Sequence, residues 1–120
     1  AALDRDALRQ KRRENYRTLL EGLKDCPGVR PLFSALPETA VPLYFPLWVE
    51  GDRAALQAHL RDASIYAPVV WPRPDRLPPV CEEAEAFYEH LLCLPVDQRY
   101  GRDDMARTVE QVRLAERKYL

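Results

Sequence analysis

The sequence predicts an α+β domain, a small and mostly antiparallel sheet covered by helices, in the order α-β-β-α-β-α-β-α. Three observations carry this expectation. Apolar residues recur at helical spacing, as in Tyr16, Leu19, Leu20 and Leu23 at i, i+3, i+4 and i+7. In Val41, Leu43, Phe45, Leu47 and Val49 they alternate instead with a period of two, the signature of a strand. The chain has 120 residues, 47% hydrophobic and 31% charged, which suits one globular domain and is too polar for a membrane protein.

The first helix is predicted from about Leu3 to Leu23, with Cys26-Pro27-Gly28 as its stop signal. Its C-terminal half has a clean apolar stripe. Extending that stripe backwards meets Arg12 and then Leu8, and the cations Arg5, Arg9, Lys11, Arg12, Arg13 and Arg17 face only Asp6 and Glu14. This charged half reads as a solvated basic face or as a surface that belongs against another body. Val29 to Phe33 follows as a short strand, then Val41–Val49 as a longer one. Pro42 and Pro46 share one parity, so both missing N–H groups point to the same side, which predicts an edge strand.

Asp52 is a good N-cap for a second helix carrying Leu56, His59, Leu60 and Ala63 on one face, with His59 as a hydrogen-bonded side chain at the core edge. Ile65 to Trp71 is β-branched and aromatic, hence a strand. Residues 72–79 hold four of the eleven prolines, either a display for ligand contacts or a stiff connection. A helix from Pro79 or Val80 to Leu92 and a strand from Cys93 to Val96 come next. Gly101 with Asp104 opens the last helix, whose core face is Met105, Val109, Val112 and Tyr119, interrupted by Thr108 and Glu116.

Charge excludes some partners. Eighteen Lys and Arg against nineteen Asp and Glu give a net charge of −1, which removes the electrostatic basis for binding nucleic acid or a membrane surface. No apolar run approaches the roughly 18–20 residues of a spanning helix, and no signal peptide is legible. Cys26, Cys81 and Cys93 are an odd set that reads as free thiols in a reducing cytoplasm. A metal site from Cys81, His90 and Cys93 would lack a fourth ligand. There is no nucleophile elbow, glycine-rich phosphate loop or HExxH segment, and four glycines leave little room for one. The polar cluster of residues 97–101 follows a strand. There Arg99 and Tyr100 could present a carboxylate or phosphate contact, or Arg99 could pair with Asp97 or Asp103 to fix the loop.

Four segments in order carry a resemblance: Arg12-Arg13-Glu14-Asn15-Tyr16-Arg17-Thr18-Leu19-Leu20, Val41-Pro42-Leu43-Tyr44-Phe45-Pro46, Ile65-Tyr66-Ala67-Pro68-Val69-Val70-Trp71-Pro72, and Leu94-Pro95-Val96-Asp97-Gln98-Arg99-Tyr100 leading to Asp104-Met105. Over nearly the whole chain this resembles the C-terminal small domain of the DegT/StrS-type aminotransferases, bacterial pyridoxal-phosphate (PLP) enzymes of sugar biosynthesis with the fold-type-I, aspartate-aminotransferase architecture. The resemblance implies a single domain over residues 1–120, with 1–24 as a connecting helix and 25–120 as the small-domain body. It implies a cytoplasmic parent enzyme, a homodimer, that moves an amino group from glutamate to a keto-sugar, often nucleotide-linked. The large domain of the same polypeptide would hold PLP, and this chain would be one wall of the cleft for a small-molecule substrate.

None of Lys11, Lys24 and Lys118 matches the family's Schiff-base lysine, so no cofactor is expected on this chain alone and no catalytic residue is assigned to it. The substrate-facing candidates are Trp71, Arg73, Arg99 and Tyr100. The sequence departs from the family where members acting on nucleotide-linked keto-sugars often carry a histidine: Val70 and Trp71 stand there. The other reading is a free-standing, non-catalytic module that binds a small ligand or regulates.

Overall fold

The computed structural model of the protein describes residues 5–38, 40–69, 86 and 89–120. The predicted class holds, an antiparallel sheet covered by helices. Helix α1 (Arg5–Leu23) leads into β1 (Val29–Pro31) and β2 (Tyr44–Val49). Helix α2 (Arg53–Asp62), β3 (Leu91–Pro95) and α3 (Arg102–Tyr119) follow. The strands lie in the order β1-β2-β3, with both pairings antiparallel.

Alternation along β2 decides where the core sits. Phe45, Leu47 and Val49 are fully buried on one face, level with Leu94 and Leu92 of β3 and Val29 of β1. Against that face lie α1 and α2, and α3 packs on both of them. The Tyr16 ring of α1 meets Phe45 at 4.7 Å between centroids. At Gly22 the backbone of α1 passes so close to α3 that an added Cβ would stand 2.7 Å from the Val109 Cγ2.

The edge-strand expectation for Val41–Val49 is overturned, because β2 is the central strand. Pro42 precedes β2, so the shared-parity argument reduces to Pro46, which shows how a central strand tolerates one proline. The Pro46 carbonyl accepts from the β1 side, and a strand residue's N–H points the same way as its C=O, so the N–H side of Pro46 faces β1. There β1 has already ended at Pro31, and only the Leu32 N–H reaches the Pro46 carbonyl, at 3.0 Å. The missing donor therefore falls where the ladder has run out.

Other boundaries moved for identifiable reasons. Ile65–Val69 is not a ladder strand: one bond, from the Cys93 N–H to the Pro68 carbonyl at 3.1 Å, ties it beside β3. Val70, Trp71 and the proline-rich loop lie outside the described residues, as does most of the predicted helix before β3. That helix was expected to reach Leu92, yet the chain is already strand at Leu91, where Leu91 and Leu92 pair with Trp48 and Leu47. In α3 the buried face is Met105, Thr108, Val112 and Ala115, while Tyr119 is exposed. Thr108 is buried without penalty because its hydroxyl donates to the Asp104 carbonyl at 3.0 Å.

The predicted caps form as read. Asp52 accepts from the Ala55 N–H at 3.0 Å, and Asp104 accepts from the Gly101 N–H at 2.8 Å. His59 sits at the core edge, 2.9 Å from the Gln111 Oε1. Cys26 and Cys93 are both buried, and burial is the main cause that pushes the Cys26 thiol up from its ordinary pKa. Cys81 lies outside the described residues, and among those described no three His, Cys, Asp or Glu side chains gather as a metal site.

Candidate functional site

An open cleft of about 680 Å³ lies where α1, the start of β2, the end of α2 and the segment after β3 converge. Each wall follows from a local rule. Tyr44 is on the outer parity of β2, opposite Pro95 of β3, so both face away from the core. Tyr66 is carried by the exit from α2, which closes as a Schellman turn. Ser64 takes a left-handed φ of 63°. Its N–H donates to the Arg61 carbonyl at 2.9 Å, and the Ile65 N–H donates to the Leu60 carbonyl at 2.8 Å. The turn buries Ile65 and Ala67 and leaves Tyr66 outward, 69% exposed at the cleft.

The loop at 96–100 forms the remaining wall, and α1 holds it. Asn15 is buried, and its amide Nδ2 donates to the carbonyls of Val96, Asp97 and Tyr100 at 3.3, 3.1 and 3.1 Å. One turn earlier, the Arg12 Nε donates to the Gln98 Oε1 at 2.7 Å. Arg13, also buried, donates to the carbonyls of Pro37 and Ala40 at 2.6 and 2.7 Å. The charged half of α1 is thus neither a plain solvated face nor a surface without in-chain contacts. Its long polar side chains satisfy loop carbonyls that helix and sheet leave without donors.

Within the loop, Arg99 pairs with Asp97 rather than Asp103, its Nε 3.3 Å from the Asp97 Oδ1. The same oxygen accepts the Arg99 backbone N–H at 3.0 Å. That backbone hydrogen bond, with the nearby Arg99 and Arg12 charges, holds the Asp97 carboxyl below the usual carboxylate range.

Of the four substrate-facing candidates, Arg99 and Tyr100 line the cleft together. Trp71 and Arg73 lie outside the described residues. Sequence reading missed Arg12, Tyr44, Arg61 and Tyr66, which line it too. Two signals pointed at them: Arg12 is the charge that breaks the apolar stripe of α1, and Tyr66 is the bulky residue between two core positions of alternating parity. The cleft offers three guanidinium groups, one carboxylate and three phenols. Groups of these kinds have the donors, charge and ring faces to contact a polar, anionic or ring-bearing molecule.

No lysine reaches it. Lys24 pairs with Glu21 at 2.9 Å on an exposed turn, Lys118 lies 5.4 Å over the Tyr119 ring, and Lys11 is on α1 away from the cleft lining. No described helix is long and apolar enough to cross a membrane.

Residues 3–113 match the model of the DegT/DnrJ/EryC1/StrS aminotransferase family. Among solved structures, the chain superposes on the aminotransferase TlmJ from Streptoalloteichus hindustanus with a TM-score of 0.81 at 24% identity, covering 92% of this chain and 32% of that one. DesV from S. venezuelae, solved in complex with a ketimine intermediate, gives 0.80 at 25% identity with the same coverage. PseC from Helicobacter pylori, an aminotransferase involved in the biosynthesis of pseudoaminic acid, gives 0.81 at 21%, covering 92% and 33%. The chain therefore spans about a third of the length of these structures. No curated protein matches it.

Proposed function

The chain belongs to the DegT/DnrJ/EryC1/StrS aminotransferase family, and from that premise we propose that it is the C-terminal small domain of a PLP-dependent sugar aminotransferase. In this reading residues 1–120 are one domain, with 1–24 the helix that connects to a large PLP-binding domain and 25–120 the body. The domain supplies one wall of the substrate cleft, with Arg99 and Tyr100 facing a keto-sugar that accepts an amino group from glutamate. Trp71 and Arg73 belong to the same proposed wall.

The observation that carries the reading is the one-sided cleft. Binding groups from α1, α2 and the 96–100 loop converge on it, yet none of the chain's three lysines lines it. PLP supplies an electron sink to a lysine-linked amino-transfer site. The residues here do not fit that group, so no step of the transfer is derived through this chain. Its part is to bind and orient substrate.

The test uses the longer protein that contains this chain, assayed for amino transfer from glutamate to keto-sugars. Arg99→Ala and Tyr100→Phe are expected to raise KM for the acceptor at least severalfold with a smaller change in kcat, the pattern of lost binding. Unchanged kinetics in both variants would overturn the cleft assignment. A protein with no longer form and no amino transfer would instead leave a free-standing ligand-binding module.

A further inference from the structure

Arg99 and Tyr100 sit in a turn over residues 97–100 that is closed on itself. The Tyr100 N–H donates to the Asp97 carbonyl and the Arg99 N–H to the Asp97 Oδ1, each at 3.0 Å. Such bonds fix the shape of the turn and leave its place in the cleft to be set from outside. Val96, fully buried, anchors the entry, and Arg12 ties the middle through Gln98. Asn15 ties entry to exit. Its Nδ2 takes the carbonyls of Val96 and Asp97 where the turn begins and that of Tyr100 where it ends. Three carbonyl oxygens aimed at one point repel one another unless a donor stands between them. Asn15 is 2% exposed, so water does not replace that donor. Asn15 does not itself line the cleft, whereas Arg99 and Tyr100 do.

We infer that Asn15 is a positioning residue for amino transfer: through the backbone of the turn it holds Arg99 and Tyr100 against the acceptor, and so sets acceptor affinity without touching it. An amide suits this work because its two N–H groups fork across several acceptors and bring no charge to bury. Leucine has the same branching and none of the donors. With leucine there, the turn relaxes away from α1 and carries the Tyr100 hydroxyl and the Arg99 guanidinium with it, while the apolar core stays closed.

The inference rests on the proposed cleft wall, so its test uses the longer protein that contains this chain. Acceptor KM and kcat are measured for four proteins: unmodified, Asn15→Leu, Tyr100→Phe and the double variant. Asn15→Leu is expected to raise KM severalfold with a smaller change in kcat and an unchanged PLP content. Tyr100→Phe, costly in the unmodified protein, should add less than about twofold once Asn15 is replaced, because its hydroxyl is already displaced. Asn15→Ser keeps one donor, should fall between, and serves if the leucine variant does not fold. Gly22→Ala, which disturbs the domain where α1 crosses α3, should leave KM unchanged.

An asparagine that only stabilises the fold gives independent effects, and the Asn15 and Tyr100 losses then multiply. Full multiplication would overturn the inference, as would an equal KM rise in Gly22→Ala. So would an unchanged KM in the Asn15 variants beside a raised KM in Tyr100→Phe, an outcome that leaves the cleft wall standing. Failure of the wall itself has a different sign, unchanged kinetics in both Arg99→Ala and Tyr100→Phe, and it overturns the inference as well.

Discussion

The two halves of α1 do different work. From Tyr16 to Leu23 the helix contributes apolar area: Leu19 and Leu23 are fully buried against the sheet's inner face. From Arg9 to Asn15 it contributes donors: Arg9, Arg12, Arg13 and Asn15 all bond to loops distant in sequence. The first half stabilises the whole domain, because buried apolar area is non-directional and shared by every element around it. The second half stabilises particular loops in particular places, because a hydrogen bond has one geometry. Two loops gain from it, residues 37–40 and the cleft wall at 96–100.

The largest expected effect falls in the apolar half. Leu19→Ala should lose about 3 kcal/mol, from lost transfer energy and the cavity left behind. Urea unfolding should show it as a lower midpoint, and hydrogen exchange should rise across all elements together. Asn15→Leu, close in volume, should cost about 2 kcal/mol by leaving three buried or half-buried carbonyls short of a donor. Its exchange increase should concentrate at 96–100. A uniform increase in that variant would erase the contrast between the two halves.

Gly22→Ala tests the junction where the apolar half crosses α3. Alanine favours helix by about 1 kcal/mol over glycine. The added methyl, however, meets the stiff β-branched Val109 at 2.7 Å. Overpacking of this kind costs about 1–3 kcal/mol, so a net loss of about 1 kcal/mol in thermal or urea unfolding is expected.

How far the sequence revealed the molecule follows the same division. Apolar periodicity located α1, α2, α3 and β2, since period and burial are two views of one stripe. Arg99 and Tyr100 were reached by another signal, a dense polar cluster directly after a strand. Periodicity did not reveal the work of Arg13 or Asn15, whose partners lie 24 and 81 residues or more away and are backbone carbonyls that carry no side-chain signature. Nor did it place β2 at the centre. Pro46 showed that one side of the strand lacks a donor, but not that β1 would be only three residues long. Arg61 was hidden because a cation near a helix C-terminus is ordinary; only the fold brings it to the cleft.

Two smaller effects sharpen the account of the cleft walls. Ser64 holds a left-handed φ that glycine adopts freely, so Ser64→Gly should stabilise by about 0.5 kcal/mol net of glycine's greater unfolded freedom. A raised midpoint with Tyr66 still outward would confirm that the turn sets the wall. The smallest effect is on pH. Asp97 has its folded pKa depressed, chiefly by the Arg99 backbone N–H. Its contribution is present above the unfolded carboxylate value and lost as pH falls through the depressed folded value. Asp97→Asn should therefore flatten part of the acid limb of stability and leave stability near neutrality slightly lower, as read from urea midpoints across that range.

The most direct test of the central claim, a binding wall without the cofactor lysine, is visible absorption with PLP. This chain and the longer protein that contains it are each mixed with the cofactor, dialysed and compared. The account predicts stoichiometric, lysine-linked cofactor on the longer protein and none on this chain. Stoichiometric retention by this chain, abolished by replacing Lys11, Lys24 or Lys118, would contradict it.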